Sequence, residues 1–542
     1  MTIREVATQP YPDQRAGTAG LRKRVAVFRQ PNYLENYLQA AFDCLPDWRS
    51  KTLVIGGDGR YHNREAIHTA LGIAAANGVA RVLVGHHGWL STPAASHLIR
   101  ASGAAGGFVL TASHNPAGPK GDFGVKLYGA TGGQASDGLM ERIFRASTQI
   151  TRYRIAEDLG VDLGQRGRHR AGGLEIEVVD PTETYAQLMQ KLFDFDRMRA
   201  WLTGHRVVFD AMHAITGPYA RRILVDLLGA PPESVLNGEP KEDFGGGKPD
   251  PNAVHARHLV DLAHSGNAPD LTAASDGDGD RNFILGRGTF VTPSDSLAVL
   301  AANLRELPGY RDGIRGVARS MPTSRAVDKV AHENYIDCYE TPTGWKFFAN
   351  LLDAGKVTLC GEESFGTSSS HCREKDGLWA VLAWINLLAV TGLPVRDVVE
   401  RHWQRYGRHY YLRHDYEGLP APDAMNVMQE LGGEIEGLAG QVFGDWKVSR
   451  ADEFEYHDPV DGSLALSQGL RVVFGDLARI VVRVSGTGTQ DATVRVYLER
   501  YEHSSGTLNW QPAEALAPLV NVAEKIVKIA ALTGRSGPTL VT

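Results

Sequence analysis

Three times in this chain a short apolar run gives way at once to a loop crowded with polar side chains. That arrangement constrains the fold more than any other feature. GFVL (107–110) leads into TASHNP, LTAAS (271–275) into DGDGDR, and VTLC (357–360) into GEESFG. Continuous apolar runs of this length suit strands covered on both faces. Helical stretches separate such runs: REAIHTALGIAAANG (64–78) puts Ile67, Leu71 and Ala74 on one face and offers Gly78 as a C-cap, between the strands TLVIGG (52–57) and ARVLVG (80–85). HRVVFD (205–210) and KVTLC (356–360) continue the rhythm. Strands alternating with helices imply mixed α/β layers, and in open α/β sheets ligands bind beyond the carboxyl ends of the strands. The three loaded loops are therefore expected to converge on one cleft.

The last ~130 residues change character: LRVVFGDLARIVVRVSGTGTQDATVRVYLERY alternates β-branched and charged residues, as an antiparallel sheet with one wet face does. At 542 residues the chain exceeds one core, and three or four domains are expected, with edges near 188, 292 and 408. Its 43% apolar and 22% charged residues are those of a soluble globular protein, and its apolar runs fall far short of a membrane span. The N-terminus MTIREVATQPYPDQR has no apolar signal core. A net charge of −6 argues against a nucleic-acid partner but leaves room for a small anionic substrate bound by local cations. Cys44, Cys338, Cys360 and Cys372 lie far apart without CxxC spacing, as reduced thiols of a cytoplasmic protein would.

Asp276, Asp278 and Asp280 fall within five residues. Carboxylates ~5 Å apart repel by roughly 3 kcal/mol at an effective dielectric near 20, so the trio calls for a cation or for bulk water. Hard oxygen ligands on a Gly-spaced loop suit Mg²⁺, which often adds a substrate phosphate to a few carboxylates. A solvated acidic turn is the rival reading; AAS running straight in and NFILG straight out weigh against it. An EF-hand does not fit, because Arg281 and Arg287 stand where that loop needs Gly and Glu.

Ser113 lacks the G-x-S-x-G elbow of a hydrolase nucleophile. On an extended chain, neighbours point to opposite sides, which places His114 poorly to deprotonate it. Asn115-Pro116 signals a turn, so Ser113 is expected to be presented at a strand end. Phosphorylated there, it would add oxygens to a Mg²⁺ shell that the aspartates fill only partly, which favours a phosphoryl carrier over a plain polar turn. RVSGTGTQDATVR (483–495) could turn backbone N–H groups toward an anion between Arg483 and Arg495, and it is not a P-loop, having no GK[ST]. In GEESFG (361–366) Glu362 and Ser364 are candidates to hold sugar hydroxyls, and Lys375 in REKDG (373–377) is a candidate proton donor or phosphate clamp if a cleft lowers its pKa.

Together with GTAGLRKRV (17–25), TASHNPAGPKGDFGVK (111–126), DAMHAITGPY (210–219), EDFGGGKPDPN (242–252), ARSMPTS (318–324), YETPTGWKFF (339–348) and REKDGLWAVLAW (373–384), these segments resemble the α-D-phosphohexomutase superfamily, close to its eukaryotic-type phosphoglucomutase branch. The resemblance spans nearly the whole chain. It implies an α/β protein of four domains around a central cleft (1–187, 188–291, 292–407 and 408–542). The first three would share a mixed-sheet topology, and the fourth would be a smaller α+β domain with an antiparallel sheet. It implies that Ser113 is a phosphoserine and that Asp276, Asp278 and Asp280 hold Mg²⁺ with its phosphate. Arg22, Lys126 and Lys375 would assist proton transfer and charge stabilisation, with Lys126 the first candidate for base and His114 a further candidate. Arg281 would lie beside the metal loop. Thr343, Gly344, Glu362 and Ser364 would contact the sugar; Arg483, Ser485, Gly486, Thr487 and Arg495 would contact its phosphate. The implied reaction interconverts glucose 1-phosphate and glucose 6-phosphate through glucose 1,6-bisphosphate, in a cytoplasmic monomer or weak homodimer. Phosphomannomutase or phosphopentomutase activity is the nearest alternative; a metal-dependent phosphatase and an inactive scaffold are more distant ones. The serine run Ser368-Ser369-Ser370 before His371 departs from the branch's pattern and bears on the fine shape of the sugar loop.

Overall fold

The structure is a computed structural model and describes residues 1–17, 19–486 and 491–542. The loaded strands sit where the apolar runs place them. Gly106–Leu110 is buried throughout, in a seven-stranded sheet with the order Leu21–Arg24, Asp122–Gly129, Gly106–Leu110, Thr52–Gly57, Arg81–Trp89, Leu174–Val179, Gly167–Ala171. Leu271–Ser275 is the middle strand of a second sheet of five, and Leu359–Glu362 belongs to a third sheet of four. The three sheets repeat one device. In each, the loaded strand runs parallel to the neighbour on one side (Thr52–Gly57, Val207–Asp210 and Gly316–Ser320). On the other side it pairs antiparallel with the strand that follows it in sequence: Asp122–Gly129, Asn282–Gly286 and Gly366–Ser369. Each functional loop is therefore the turn between a buried parallel strand and its antiparallel successor. Both ends of the loop are fixed by ladder hydrogen bonds.

One element shifts against expectation. The third loaded strand is Leu359–Glu362 rather than 356–360, so Glu362 is its last residue and not part of a loose loop. The helix expected over 64–78 is Asn63–Ala76, and Gly78, at φ 80°, closes it as expected: Gly78 N donates to Ala75 O at 3.2 Å and Val79 N to Ala74 O at 3.1 Å.

The helix Gly377–Thr391 is apolar all round and buried along nearly its whole length, as such a helix must be. Asp376 caps it, accepting from Trp379 N at 3.0 Å. It packs against the loaded strand of the second sheet and the last strand of the third, and it belongs to one hydrophobic core running from Val54 to Tyr406 across the first three domains. The fourth domain is different. The six strands of its main sheet are all antiparallel, in the order Arg450–Glu453, Leu470–Phe474, Ala478–Gly486, Asp491–Glu502, Arg408–Pro420, Leu540–Val541. It closes over its own core, from Tyr410 to Ile529. Among the described residues no single helix is long and apolar enough to cross a membrane. Gly377–Thr391 and Val395–Tyr406 together have the length but bend by 83° where they meet.

Candidate functional site

Ser113 stands one turn beyond Leu110 and does not continue the strand. Its φ is 52°, in the left-handed region, where a residue other than glycine is strained. Its surroundings impose that conformation: Ser113 N donates to Thr111 Oγ1 at 2.8 Å, and Arg60 Nη2 donates to Ser113 O at 2.6 Å. Asp58 ties the two together, accepting from Thr111 Oγ1 at 2.6 Å and from Arg60 Nε at 2.8 Å, all of it buried. The positive φ overturns the expectation that Ser113 and His114 point apart. That expectation assumed an extended chain; the left-handed turn instead brings Ser113 Oγ to 3.3 Å from His114 Nδ1. Burial, then the cations Arg281 and Arg22, hold the His114 imidazole well below its usual range. The imidazole is therefore neutral, and the stronger bond of the hydroxyl goes elsewhere: Ser113 Oγ donates to Asp276 Oδ2 at 2.7 Å.

That bond joins the first sheet to the second. The two loops meet closely enough that a Cβ at Gly277 would collide with the carbonyl oxygen of Ser113, so this position requires glycine. One oxygen each of Asp276, Asp278 and Asp280 lie within 4.8 Å of one another, and all three residues are buried. Asp276 Oδ1 accepts from the backbone N–H groups of Asp280 and Arg281 at 2.9 and 3.0 Å. Burial and the two neighbouring carboxylates nevertheless push its carboxyl well above the usual range. Lys126 Nζ donates to Asp278 Oδ2 at 2.8 Å and lies 3.3 Å from Asp280 Oδ2, while Lys375 Nζ reaches Asp280 Oδ2 at 3.2 Å. Burial opposes ionisation of Asp280, but Lys375, Lys126 and Arg281 outweigh it and hold the carboxyl below the usual range. The same aspartates keep both lysines protonated against the desolvation they suffer. Lys126 is accordingly a buried charge partner here, and the role of base expected for it requires that this proton first be lost.

Asp278 Oδ1 and Asp280 Oδ1 are buried and have no hydrogen-bond partner. Such atoms are destabilising unless something binds them. Hard, unpartnered oxygens beside a serine hydroxyl fit a divalent cation of the Mg²⁺ type. Arg22, in the strand Leu21–Arg24, also carries a buried unpartnered Nε, and burial lowers its guanidinium despite the attraction of Asp278 and Asp280. Arg281 is held by Asp250 at 3.0 Å and brings its Nη2 within 3.5 Å of His114 Nε2.

The third sheet contributes Glu362, whose Oε1 accepts from Gly344 N at 3.0 Å. Its carboxyl is pushed up by burial, and Lys375 works against that rise. The stem of Lys375 lies against Gly366. Thr343 Oγ1 is buried and unpartnered, and Ser364 is half-buried at the same edge. The segment carrying Lys375 is strapped on both sides of the lysine to residues far earlier in the chain. Glu374 accepts from Tyr128 OH at 2.8 Å and Gln134 Nε2 at 2.7 Å, and Asp376 accepts from Tyr185 OH at 2.6 Å. His371, in the divergent serine run, donates or accepts at 2.9 Å with Asp376 and at 2.8 Å with Ser369.

In the fourth domain the hairpin register pairs Arg483 with Arg495, Ser485 with Thr493 and Gly486 with Ala492. Arg483 Nε donates to Gln468 O at 3.2 Å; Arg495 has Asp415 at 3.7 Å, and its Nε is unpartnered. Two like charges directly opposite on one face repel, and an anion between them would relieve that repulsion. The expected contact at Thr487 lies outside the described residues.

Asp58, Arg60, Thr111, Asp250 and Glu374 were not anticipated. A signal existed for the first two: DGRYHN also follows a buried strand, Thr52–Gly57, at its carboxyl end.

Comparison with known proteins identifies the family and the fold. Family models match residues 13–154, 183–288 and 292–406 as the phosphoglucomutase/phosphomannomutase alpha/beta/alpha domains I, II and III, and residues 408–539 as the phosphoglucomutase-1 C-terminal domain. A phosphoglucomutase of Rhizobium radiobacter is 52% identical over 541 residues, with all of both chains covered. Phosphoglucomutase-1 of Homo sapiens is 48% identical over 557 residues, covering 99% of each chain. The open form of parafusin, an exocytosis-sensitive phosphoprotein and phosphoglucomutase of Paramecium, superposes with a TM-score of 0.93 at 46% identity, covering 100% of this chain and 99% of its own.

Proposed function

The chain belongs to the phosphoglucomutase/phosphomannomutase family as a mutase of its phosphoglucomutase branch, and on that premise we propose that it interconverts α-D-glucose 1-phosphate and D-glucose 6-phosphate with Ser113 as phosphoryl carrier. The observation that supports this most is the Ser113 Oγ–Asp276 bond of 2.7 Å beside the unpartnered oxygens of Asp278 and Asp280. A hydroxyl beside unpartnered carboxylate oxygens is what a phosphoryl carrier next to a cation would need.

Asp276, Asp278, Asp280 and a phosphate on Ser113 would hold Mg²⁺. When bound, it would neutralise charge on the transferring phosphoryl oxygens. In the first half-reaction the Ser113 Oγ–P bond breaks as the free hydroxyl oxygen of the sugar monophosphate bonds to phosphorus, giving glucose 1,6-bisphosphate. In the second, the other ester bond breaks and Ser113 Oγ takes that phosphoryl group. A loose transition state demands in-line placement and cations more than a strong base. We therefore assign Arg22, Lys126, Lys375 and Arg281 first to charge stabilisation. Proton exchange comes second: Lys375, 15% exposed against 1% for Lys126, is assigned to give its proton to the departing oxygen and to take the one the attacking hydroxyl loses. Glu362, Ser364, Thr343 Oγ1 and Gly344 are assigned to the sugar. Arg483, Ser485, Gly486, Thr487 and Arg495 are assigned to the phosphate that is not reacting, so that either orientation of the bisphosphate presents the other end to Ser113. We set the domain edges at 187/188, 291/292 and 407/408, and the four free thiols support a reducing, cytoplasmic setting.

The test is a coupled assay on glucose 1-phosphate. Turnover is expected with Mg²⁺, loss with EDTA, and a fall on the order of 10³-fold or more in Ser113→Ala. Robust turnover by Ser113→Ala would remove the serine from its role. Faster turnover of mannose 1-phosphate or ribose 1-phosphate would move the substrate assignment within the family, and steady release of inorganic phosphate would replace the mutase with a phosphatase.

A further inference from the structure

The segment ARSMPTS (318–324) has no part in the chemistry above, yet it is gripped from two sides. The fourth domain takes three consecutive backbone carbonyls. Arg479 Nη1 donates to Met321 O, Tyr411 OH to Pro322 O and Arg479 Nη2 to Thr323 O, each at 2.8 Å. Just beyond, Arg325 N donates to Glu499 Oε1 at 2.7 Å. Arg479 is itself fixed by Glu499 at 2.9 Å and Glu340 at 3.1 Å.

On the other side, the hydroxyls of the same segment hold the residue between Glu362 and Ser364. Glu363 N donates to Thr323 Oγ1 at 2.9 Å. Glu363 Oε2 accepts from Ser320 Oγ at 3.3 Å and from Thr323 Oγ1 at 3.4 Å, and the two hydroxyls are 2.7 Å apart. Ser320, Thr323 and Glu363 are all buried, so water does not compete for these bonds.

A rigid-body movement of the fourth domain must therefore either break several buried hydrogen bonds at once or carry the segment with it. Interfaces packed in this way shift between discrete arrangements and do not deform smoothly. We propose that Thr323 is a positioning residue that couples the seating of the fourth domain to the sugar loop. Its backbone oxygen follows Arg479, and its hydroxyl sets Glu363, and with it Glu362 and Ser364. Phosphate grip and sugar grip then form together. The proposal rests on the assignment of Glu362 and Ser364 to the sugar and of Arg483 and Arg495 to its phosphate.

Two measurements test it. In the ligand-free protein, Tyr411→Phe removes one bond on the lid side only. It is expected to speed amide exchange of the 361–366 peptide about threefold to tenfold. In a Thr323→Val background, where that peptide already exchanges fast, Tyr411→Phe should add nothing. In steady-state kinetics, Thr323→Val is expected to raise KM for glucose 1-phosphate about fivefold to tenfold with kcat little changed, and Thr323→Ser, which restores the hydroxyl, to return KM to the parent value. Unchanged exchange at 361–366 in Tyr411→Phe would overturn the coupling, as would equal KM for Thr323→Val and Thr323→Ser. Should Thr323→Val fail to fold, the Tyr411→Phe exchange result decides by itself. Lack of turnover of glucose 1-phosphate by the parent protein would sink the substrate assignment alone, since the exchange measurement needs no ligand.

Discussion

Lys126 and Arg495 are both cations of the proposed site, and they are held in opposite ways. Lys126 is 1% exposed and bonded at 2.8 Å to Asp278, across the junction of the first two sheets. Arg495 is 29% exposed, has its nearest carboxylate among the described residues at 3.7 Å, faces Arg483 across the hairpin, and belongs to a domain with a separate core. Most of the first arrangement is set before substrate arrives: both lysines are paired, the serine is bonded, and the strained backbone of Ser113 is held by Asp58, Thr111 and Arg60, with Asp278 Oδ1, Asp280 Oδ1 and Arg22 Nε left open. The second is left incomplete, with repulsion that an anion would relieve. A centre that transfers phosphoryl groups must be fixed to a fraction of an ångström. A grip that releases one phosphate and takes the other must be loose enough to let the bisphosphate turn. Separate cores make the second compatible with the first.

The largest effect that sharpens this contrast is expected on stability. Asp280→Ala leaves Lys126 and Lys375 short of their shared partner, and we expect a loss of about 3–5 kcal/mol in urea unfolding together with loss of turnover. A variant as stable as the parent would show that the centre is not preorganised by these pairs. Arg495→Ala should do the reverse. Its unfolding free energy should stay within about 1 kcal/mol of the parent. Its KM for both monophosphates should rise about tenfold to a hundredfold, the value of a hydrogen bond to a charged group. An increase for only one of the two sugars would break the idea that a single grip serves both orientations.

The smallest effect is one of pH. Glu340 joins the third and fourth domains, with Arg319 at 2.8 Å, Arg471 at 2.6 Å and Arg479 at 3.1 Å. Burial raises its carboxyl, but these arginines outweigh burial and hold it down to about 2 from 4.5. Because the folded value lies below the unfolded one, the stabilisation is complete above pH 4.5 and is lost as pH falls toward 2. About 1 kcal/mol should be gone by pH 4, measured as the difference between the parent and Glu340→Gln in acid unfolding. A constant difference from pH 7 to pH 3 would show that the junction does not depend on this ion cluster.

Much of this was legible in the residues. The apolar runs placed the strands to within a few positions, because burial on both faces demands an uninterrupted apolar sequence wherever the strand lies in space. The three aspartates announced a cation for the same local reason, since closely spaced charges repel in any fold. Ser113 was legible as a presented side chain, but its partner was not. The left-handed turn at φ 52° is imposed by Arg60 and Thr111, whose contacts come from elsewhere in the chain, and without it the serine and His114 would point apart. Glu362 moved from a loop to the last position of a strand because pairing with Gly366 extends the ladder that far.

What the sequence determined by itself was the set of chemically loaded turns, their residue types and the layered fold that displays them, because hydrophobic periodicity and the chemistry of a side chain are carried by the chain locally. Only the tertiary structure decided which charges cancel, which oxygens stay unpartnered, and how Thr323 stands between Arg479 of the fourth domain and Glu363. Those outcomes depend on distances between residues hundreds of positions apart, and electrostatic and hydrogen-bond energies change steeply with such distances.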